Sequence, residues 1–322
     1  MDSPAQPSAH LSASPNNPIP PGAEVGFVIT VDDTRIRYAR WQAEQRPSKG
    51  TVILLHGRNE ATEKYFETIN DLRQRGFGVL TFDWRGQGRS DRLLSDPCKG
   101  HIEHFDQYLN DLDAVLNEVA LPDCKAPFYI LGHSTGALVA LLAAPALTNR
   151  IRRMVLCAPL LALNNIPVGQ TALRRAMGIL TFLGLGRLSV GSTSTKPNDK
   201  PFLGNKLTSD SERYKRNRDI LKGDDTLFLG VPTVSWVFAA CRAMARVRET
   251  GYSSAISIPT LIVAAGSDAI VDTAIVEQFG RGMRSGAQLT IAGARHEIMQ
   301  ERDIFREQFF AAFDAFVPGS EV

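Results

Sequence analysis

The chain has 322 residues and a formal net charge of +2, and 43% of its residues are hydrophobic and 22% charged. This composition is typical of a globular protein with a substantial core and room for an insertion. The balanced charge gives no reason to expect a nucleic-acid partner. The four cysteines are scattered without a C-x-x-C pair, a pattern typical of reduced thiols and not of a metal site.

Residues 1–24 are rich in proline, serine and asparagine, which predicts a flexible N-terminal tail. They combine neither a basic start nor an apolar stretch, so they do not resemble a secretion signal. No run of about eighteen apolar residues occurs in the chain, so the sequence predicts no membrane-spanning helix. We therefore expect a cytoplasmic protein whose contact with membranes is limited to their surface.

Short strands alternate with helical stretches along most of the chain. Two β-prone segments flank Asp32 and Asp33 and predict a hairpin. Continuous apolar runs then predict strands buried on both faces, and they lie at 51–57, 78–86, 127–133, 153–160 and 259–268. Apolar residues at helical spacing predict helices at 62–75 and 104–119. The sequence thus predicts an α/β fold in which helices cover a mostly parallel sheet, with a core formed by residues 25–158 and 256–322.

The alternation fails between residues 159 and 255, which predicts an inserted, mainly helical cap. Lysine and arginine outnumber aspartate and glutamate two to one in this region, although the whole chain is nearly neutral. An apolar run at 177–186 adjoins the basic residues, and we predict that Phe182 and Leu183 within it contact substrate. The alternative is that these residues only pack the cap. Basic groups beside an apolar surface also predict peripheral contact with a membrane.

The segment Gly132-His133-Ser134-Thr135-Gly136 matches the nucleophile motif G-x-S-x-G. It follows a β-prone run and precedes an apolar helix, so we expect Ser134 on a sharp turn with its hydroxyl accessible. The start of a helix places free N–H groups beside an oxyanion. We therefore predict Ser134 as the nucleophile and a packing role for His133.

A serine hydroxyl needs a general base, and His296 is the candidate because it follows the last predicted strand and precedes the C-terminal helix. The imidazole needs an acid at its other nitrogen, and Asp268 lies just beyond the strand at 259–268. Asp272 is the competing acid, although it is also placed to cap the next helix. The predicted oxyanion donors are the backbone N–H groups of Thr135 and Arg58.

Four segments together resemble the bacterial lysophospholipase and monoacylglycerol lipase branch of the α/β-hydrolases, also called serine aminopeptidase-like. They begin at ILLHGRNEATEKYF, GHSTGALVALLAA, LIVAAGSDAIV and GARHEIMQERD. The resemblance runs from about Val25 to Phe316 and includes PTVSWVFAACRAM in the cap, where we expect Trp236 to contact substrate. It implies the same triad and oxyanion donors, and a structural role for the DWRGQGRSD loop. Arg58 departs from the small or apolar residue usual in monoacylglycerol lipases, and its side chain is expected either to bind an anionic head group or to point into solvent.

These residues predict a carboxylic ester hydrolase that works through an acyl-enzyme and requires no cofactor. The resemblance and the cap suggest lysophospholipids or monoacylglycerols as substrates. An amide hydrolase or acyltransferase would use the same triad, and a catalytically silent binding protein is the third alternative. Dehalogenase and epoxide hydrolase chemistry is disfavoured because those enzymes use an aspartate at the position of Ser134. The oligomeric state is not predicted.

Overall fold

A computed structural model describes residues 9–164, 166–191 and 201–317. Eight strands form one sheet in the order β1-β2-β4-β3-β5-β6-β7-β8, in which β1 and β2 are antiparallel and all later strands are parallel. The strands are β1 (Glu24–Ile29), β2 (Arg35–Trp41), β3 (Thr51–Leu55), β4 (Gly78–Phe82), β5 (Phe128–His133), β6 (Ile151–Cys157), β7 (Thr260–Ala265) and β8 (Gly286–Ile291). The predicted mostly parallel sheet is confirmed.

Helices occupy most of the connections between strands. Within the described residues the α-helices are α1 (Phe66–Gln74), α2 (Asp106–Val115), α3 (Leu121–Asp123), α4 (Thr135–Leu147), α5 (Gly169–Leu180), α6 (Ser211–Gly223), α7 (Val234–Val247), α8 (Tyr252–Ala255), α9 (Thr273–Arg281) and α10 (Asp303–Phe316). Short 3₁₀ or π turns lie at Thr62–Tyr65, Leu116–Ala120, Thr181–Leu185, Asp225–Leu227 and Ile298–Gln300. No helix in these parts of the chain is long and apolar enough to cross a bilayer.

Successive side chains of a strand point to opposite faces of the sheet. Because the central strands carry apolar residues on both sides, both faces of the sheet are apolar. Val52 and Leu54 of β3 join the apolar layer under α1 and α10, whereas Ile53 and Leu55 join the layer under α2, α4, α7 and α9. Coverage on both sides explains why the central strands read as continuous apolar runs. The parallel arrangement of the strands also places their carboxyl ends along one edge of the sheet, where side chains from distant segments meet.

The segment before β1 packs on the core, so the prediction of a flexible tail through residue 24 is wrong for its described part. Leu11 is buried, and Trp41 Nε1 donates to the Pro20 carbonyl at 3.0 Å. The carbonyl of His10 accepts a hydrogen bond from the buried Arg37 guanidinium. Composition favoured disorder, but the core supplies donors and apolar surface that hold this segment. Residues 1–8 of the predicted tail lie outside the described residues.

Between β6 and β7 the chain leaves the sheet and forms α5–α8, within the region predicted as a cap. α7 packs against α5 and buries Trp236 in the apolar layer that also includes α2 and α4. Arg213 and Arg216 of α6 form ion pairs with Glu67 of α1. Part of the basic excess of this region is therefore paired with a carboxylate of the core. The boundaries at 159 and 255 stay a prediction.

Candidate active site

Ser134 lies on the sharp turn between β5 and α4, as predicted. Its φ of 51° and ψ of −110° are strained values for a residue other than glycine. Its N–H donates to the Cys157 carbonyl, and its own carbonyl accepts from Leu138 and Leu160. These bonds hold the turn in place against its backbone strain.

The two glycines of the motif allow the close packing that this turn requires. A Cβ at Gly136 would lie 2.2 Å from the carbonyl oxygen of Leu55, and a Cβ at Gly132 would lie 2.9 Å from Cα of Ala137. Glycine is therefore required where α4 crosses the end of β3. This contact places the start of α4, with its unpaired N–H groups, beside the serine.

The structure brings the three residues of the predicted triad together. His296 Nε2 lies 3.1 Å from Ser134 Oγ, and His296 Nδ1 lies 2.7 Å from Asp268 Oδ2. The second carboxylate oxygen of Asp268 accepts from the backbone N–H groups of Ile270 and Val271 at 2.7 and 3.0 Å. All three triad side chains are buried, each with at most 8% of its residue surface exposed. This chain of hydrogen bonds can move a proton from Ser134 to His296 while Asp268 holds the ring.

The competing residues take other positions. Asp272 caps α9, since its carboxylate accepts from the N–H of Ile275 at 3.2 Å. His133 points behind the triad, where its Nε2 lies 3.2 Å from the backbone carbonyl of His296. His133 Nδ1 lies 3.2 Å from the carboxylate of Glu60. His133 thus joins the turn that carries Ser134 to the loop that carries His296.

A buried cluster of charged groups lies behind the triad, and sequence reasoning missed it. Glu60 accepts from Gly57 N–H at 2.5 Å and from Tyr65 Oη and Lys64 Nζ at 2.7 Å each. Lys64 also pairs with Glu297 at 2.6 Å. The only sign of this cluster in the sequence was Glu60, which lies three positions after the strand-ending Gly57 and four positions before Lys64. Glu60 ties the loop after β3 to the base of the site.

Protonation in this cluster follows from burial and pairing. Burial raises the pKa of Glu60, but the charges of Lys64 and His133 outweigh it and hold the pKa well below 4.5. Burial lowers the pKa of His133, but the Glu60 carboxylate outweighs it and raises the pKa above 6.5. Both ring nitrogens of His133 face acceptors, the Glu60 carboxylate and the His296 carbonyl, and the imidazolium form has a donor for each.

Arg58 and Thr135, the predicted oxyanion donors, lie on either side of Ser134 in the wall of one cavity. Among the described residues, neither backbone N–H donates to an acceptor. The backbone N–H of Gly57 is not available as an oxyanion donor, because it donates to the carboxylate of Glu60. Two unused donors beside the serine are what an oxyanion hole requires.

The cavity at Ser134 has a volume of about 330 Å³ and a largely apolar lining. Trp236, predicted as a substrate contact, lines it together with the residues Leu160, Leu163, Val237, Ala240, Met244 and Ile270. Phe182 and Leu183 do not line it. They are 90% and 62% exposed, so the structure does not bring them into the wall of the cavity at Ser134. Apolar character alone did not distinguish an inner face of the cap from an outer one.

The DWRGQGRSD loop is structural, as the resemblance implied. Asp83 pairs with Arg37 at 2.6 Å, and neither side chain has accessible surface. Arg85 pairs with Asp111 at 2.7 Å and also with Asp32. These ion pairs join the loop after β4 to β2, to the hairpin turn and to α2.

The sheet order, the strained serine turn and the histidine–aspartate pair beyond later strands are the features of a serine hydrolase with the α/β-hydrolase fold. A family profile described as "Serine aminopeptidase, S33" matches residues 46–303, and the chain belongs to this family. The resemblance seen in the sequence is confirmed.

Two relatives and one solved structure illustrate the similarity. Lysophospholipase L2 of Escherichia coli (strain K12) is 32% identical over 283 residues, which cover 86% of this chain and 82% of the relative. Phospholipase YtpA of Bacillus subtilis (strain 168) is 28% identical over 284 residues, covering 86% and 97%. The crystal structure of a soluble variant of monoglyceride lipase from Saccharomyces cerevisiae superposes with a TM-score of 0.73 at 22% identity, covering 92% and 96% of the two chains. At this identity the structural match shows the fold alone.

Proposed function

We propose that the protein is a carboxylic ester hydrolase that uses Ser134 as nucleophile, forms an acyl-enzyme and acts on single-chain lipid esters such as lysophospholipids or monoacylglycerols. The observation that carries the proposal is the continuous path of hydrogen bonds from Asp268 through His296 to Ser134. The path ends in a cavity whose apolar wall suits an acyl chain. The names of the relatives, lysophospholipase and phospholipase, support lipid esters as substrates.

In the proposed reaction, Ser134 Oγ attacks the ester carbonyl carbon while His296 Nε2 takes the hydroxyl proton. Asp268 stabilises the resulting imidazolium through Nδ1 and keeps the ring oriented. The tetrahedral oxyanion accepts hydrogen bonds from the N–H groups of Arg58 and Thr135, each worth about 10²–10³ in rate. His296 then protonates the leaving alcohol, and a water molecule activated by the same imidazole releases the fatty acid.

Apolar side chains of α7 and of the loop after β6 support an acyl chain as the part of the substrate that fills the cavity. Burying each methylene of the chain contributes about 0.8 kcal/mol. Trp236 closes one side, and its Nε1 is satisfied by Tyr108 Oη at 3.1 Å. The tryptophan therefore presents apolar ring surface to the substrate without an unpaired donor.

The proposal includes peripheral contact of the cap with a lipid surface. Ile179, Phe182 and Leu183 are 61%, 90% and 62% exposed on consecutive turns at the end of α5. Exposed apolar side chains of this kind insert into the interface of a bilayer. Co-sedimentation with vesicles of phosphatidylglycerol and phosphatidylcholine tests this, and equal binding of wild type and Phe182→Ser/Leu183→Ser would contradict it.

Labelling by a fluorophosphonate tests the nucleophile. Wild type is expected to be labelled and Ser134→Ala is not, whereas Ser254→Ala, at a serine of α8, serves as the matched control. An unlabelled and inert wild type would favour a binding protein. Hydrolysis of p-nitrophenyl esters of increasing chain length, lysophosphatidylcholine and monoolein tests the substrate class. Turnover of short acyl chains alone would contradict lipid substrates, and predominant transfer to an added alcohol or cleavage of amides would favour the alternative chemistry.

A further inference from the structure

The side chain of Arg58 is placed unusually for a cation. Its Nη2 donates to the Gly230 carbonyl at 2.5 Å, and its guanidinium carbon lies 5.2 Å from the centroid of the Trp236 ring. Its Nε has no accessible surface and no hydrogen-bond partner within residues 9–164, 166–191 and 201–317. The prediction that this side chain points into solvent is therefore excluded.

Among the described residues, no carboxylate forms an ion pair with Arg58. Burial without such a partner lowers the pKa of its guanidinium to about 10, so the group still carries its charge near neutral pH. Three buried arginines each contact at least two carboxylates, and they are Arg37, Arg85 and Arg306. Burying a charge without a counter-ion is costly, so the placement of Arg58 in a cavity wall requires an explanation.

The position of Arg58 beside the nucleophile supplies an explanation. Arg58 and Trp236 line the same cavity as Ser134, and the backbone N–H of Arg58 is one of the two unused donors beside the serine. Because the guanidinium stacks on Trp236 in the cavity wall, it is placed to meet the alcohol portion of an ester held at that N–H. In a lysophospholipid, this alcohol portion is a glycerol that carries a phosphate. In a monoacylglycerol, the corresponding group is a neutral hydroxyl.

We propose that the guanidinium of Arg58 binds the phosphate of a lysophospholipid and makes the enzyme prefer lysophospholipids to monoacylglycerols. This inference rests on the proposed ester hydrolysis at Ser134. Arginine suits the role because its fork of donors matches phosphate oxygens, and a phosphate supplies the counter-ion that the described residues do not provide. Stacking on Trp236 holds the guanidinium in place before substrate arrives.

The test compares 1-oleoyl-lysophosphatidylglycerol with 1-monooleoylglycerol, which share the acyl chain and the ester. Both are presented at equal mole fraction in neutral detergent micelles, and kcat/KM is measured for wild type, Arg58→Gln and Arg58→Lys. Wild type is expected to prefer the phospholipid. Arg58→Gln is expected to reduce that preference about 10-fold to 100-fold, as for loss of a hydrogen bond to a charged group. Arg58→Lys is expected to retain part of it.

Arg92→Gln is the matched control. Arg92 has no carboxylate ion-pair partner in the described parts of the chain and donates to backbone carbonyls of the cap region, those of Thr226 and Phe228, but it does not line the cavity at Ser134. This variant is expected to leave the ratio of the two substrates unchanged. The comparison therefore separates loss of a cap contact from loss of phosphate recognition.

Competition provides a second readout that does not require the variant to be fully active. sn-Glycerol 3-phosphate is expected to inhibit hydrolysis of p-nitrophenyl butyrate by wild type and to inhibit Arg58→Lys more weakly. If Arg58→Gln slows both lipids equally, or if wild type prefers monooleoylglycerol, the phosphate assignment is overturned while ester hydrolysis stands. If wild type shows no Ser134-dependent hydrolysis of either lipid, the proposed function itself fails.

Discussion

Replacing Glu60 with glutamine perturbs the buried charge cluster behind the triad with little change in shape. The carboxylate of Glu60 accepts from Gly57, Tyr65 and Lys64 and faces His133 Nδ1. A glutamine keeps one acceptor but turns an amide NH₂ toward groups that are themselves donors. Removing one member of a buried ionic cluster costs roughly 3–5 kcal/mol, and we expect about 3 kcal/mol here because part of the hydrogen bonding survives.

The pH dependence of this loss has a defined sign. Because the pKa of Glu60 is held well below 4.5, its stabilisation is complete above pH 4.5 and is lost as pH falls through the depressed pKa. Because the pKa of His133 is raised above 6.5, its stabilisation is complete below pH 6.5 and is lost as pH rises through the raised pKa. The destabilisation caused by Glu60→Gln should therefore be largest between pH 4.5 and 6.5.

Urea unfolding followed by circular dichroism across that pH range measures the effect. Glu297→Gln is the control, since Glu297 also pairs with Lys64 at 2.6 Å but raises the pKa of His133 less than Glu60 does. It should destabilise less and should produce a smaller decline above pH 6.5. A loss below about 1 kcal/mol for Glu60→Gln, or a loss that grows with rising pH, would refute the assigned protonation states.

Three further predictions concern other parts of the molecule. Asp268→Asn should lower kcat for a p-nitrophenyl ester about 10⁴-fold with little change in KM, since an amide favours the wrong tautomer of His296; a loss below tenfold would contradict the triad. Gly136→Ala should lower the free energy of unfolding by roughly 1–3 kcal/mol, because its Cβ would lie 2.2 Å from the Leu55 carbonyl oxygen, and an unchanged melting temperature would count against this. Although burial raises the pKa of Glu67, three arginines lower it to about 2, so its stabilisation is present above pH 4.5 and lost toward pH 2. Glu67→Gln should remove this acid-dependent part of the stability, and coincident acid-unfolding curves would exclude it.

Much of the fold and the triad geometry could be predicted because their signals are local. The apolar run at 51–57 indicated a strand buried on both faces, and β3 is such a strand. The glycines around Ser134 reflect contacts within a single strand–turn–helix unit. His296 and Asp268 were recognised because each follows a strand in the order that this fold imposes.

Other features depend on neighbours that are distant in sequence. Asp268 and Asp272 are both acidic residues just beyond β7, and only the path of the loop decides that the first meets His296 while the second caps α9. Glu60 gave no catalytic signal because its link to the loop of His296 passes through His133, at the end of β5, and that contact depends on the tertiary structure. Phe182 looked like an acyl contact because hydrophobicity does not state which side of a cap a residue occupies.

The sequence by itself determined the pattern of buried strands, the serine turn and the order of the triad, because these depend on steric and periodic rules within short segments. Only the tertiary structure decided which surfaces face the cavity, how the segment before β1 packs, and that Arg58 lies buried without a described carboxylate. Those outcomes depend on which chemical groups from remote segments come within a few ångströms of one another, and that information is spread over the whole chain.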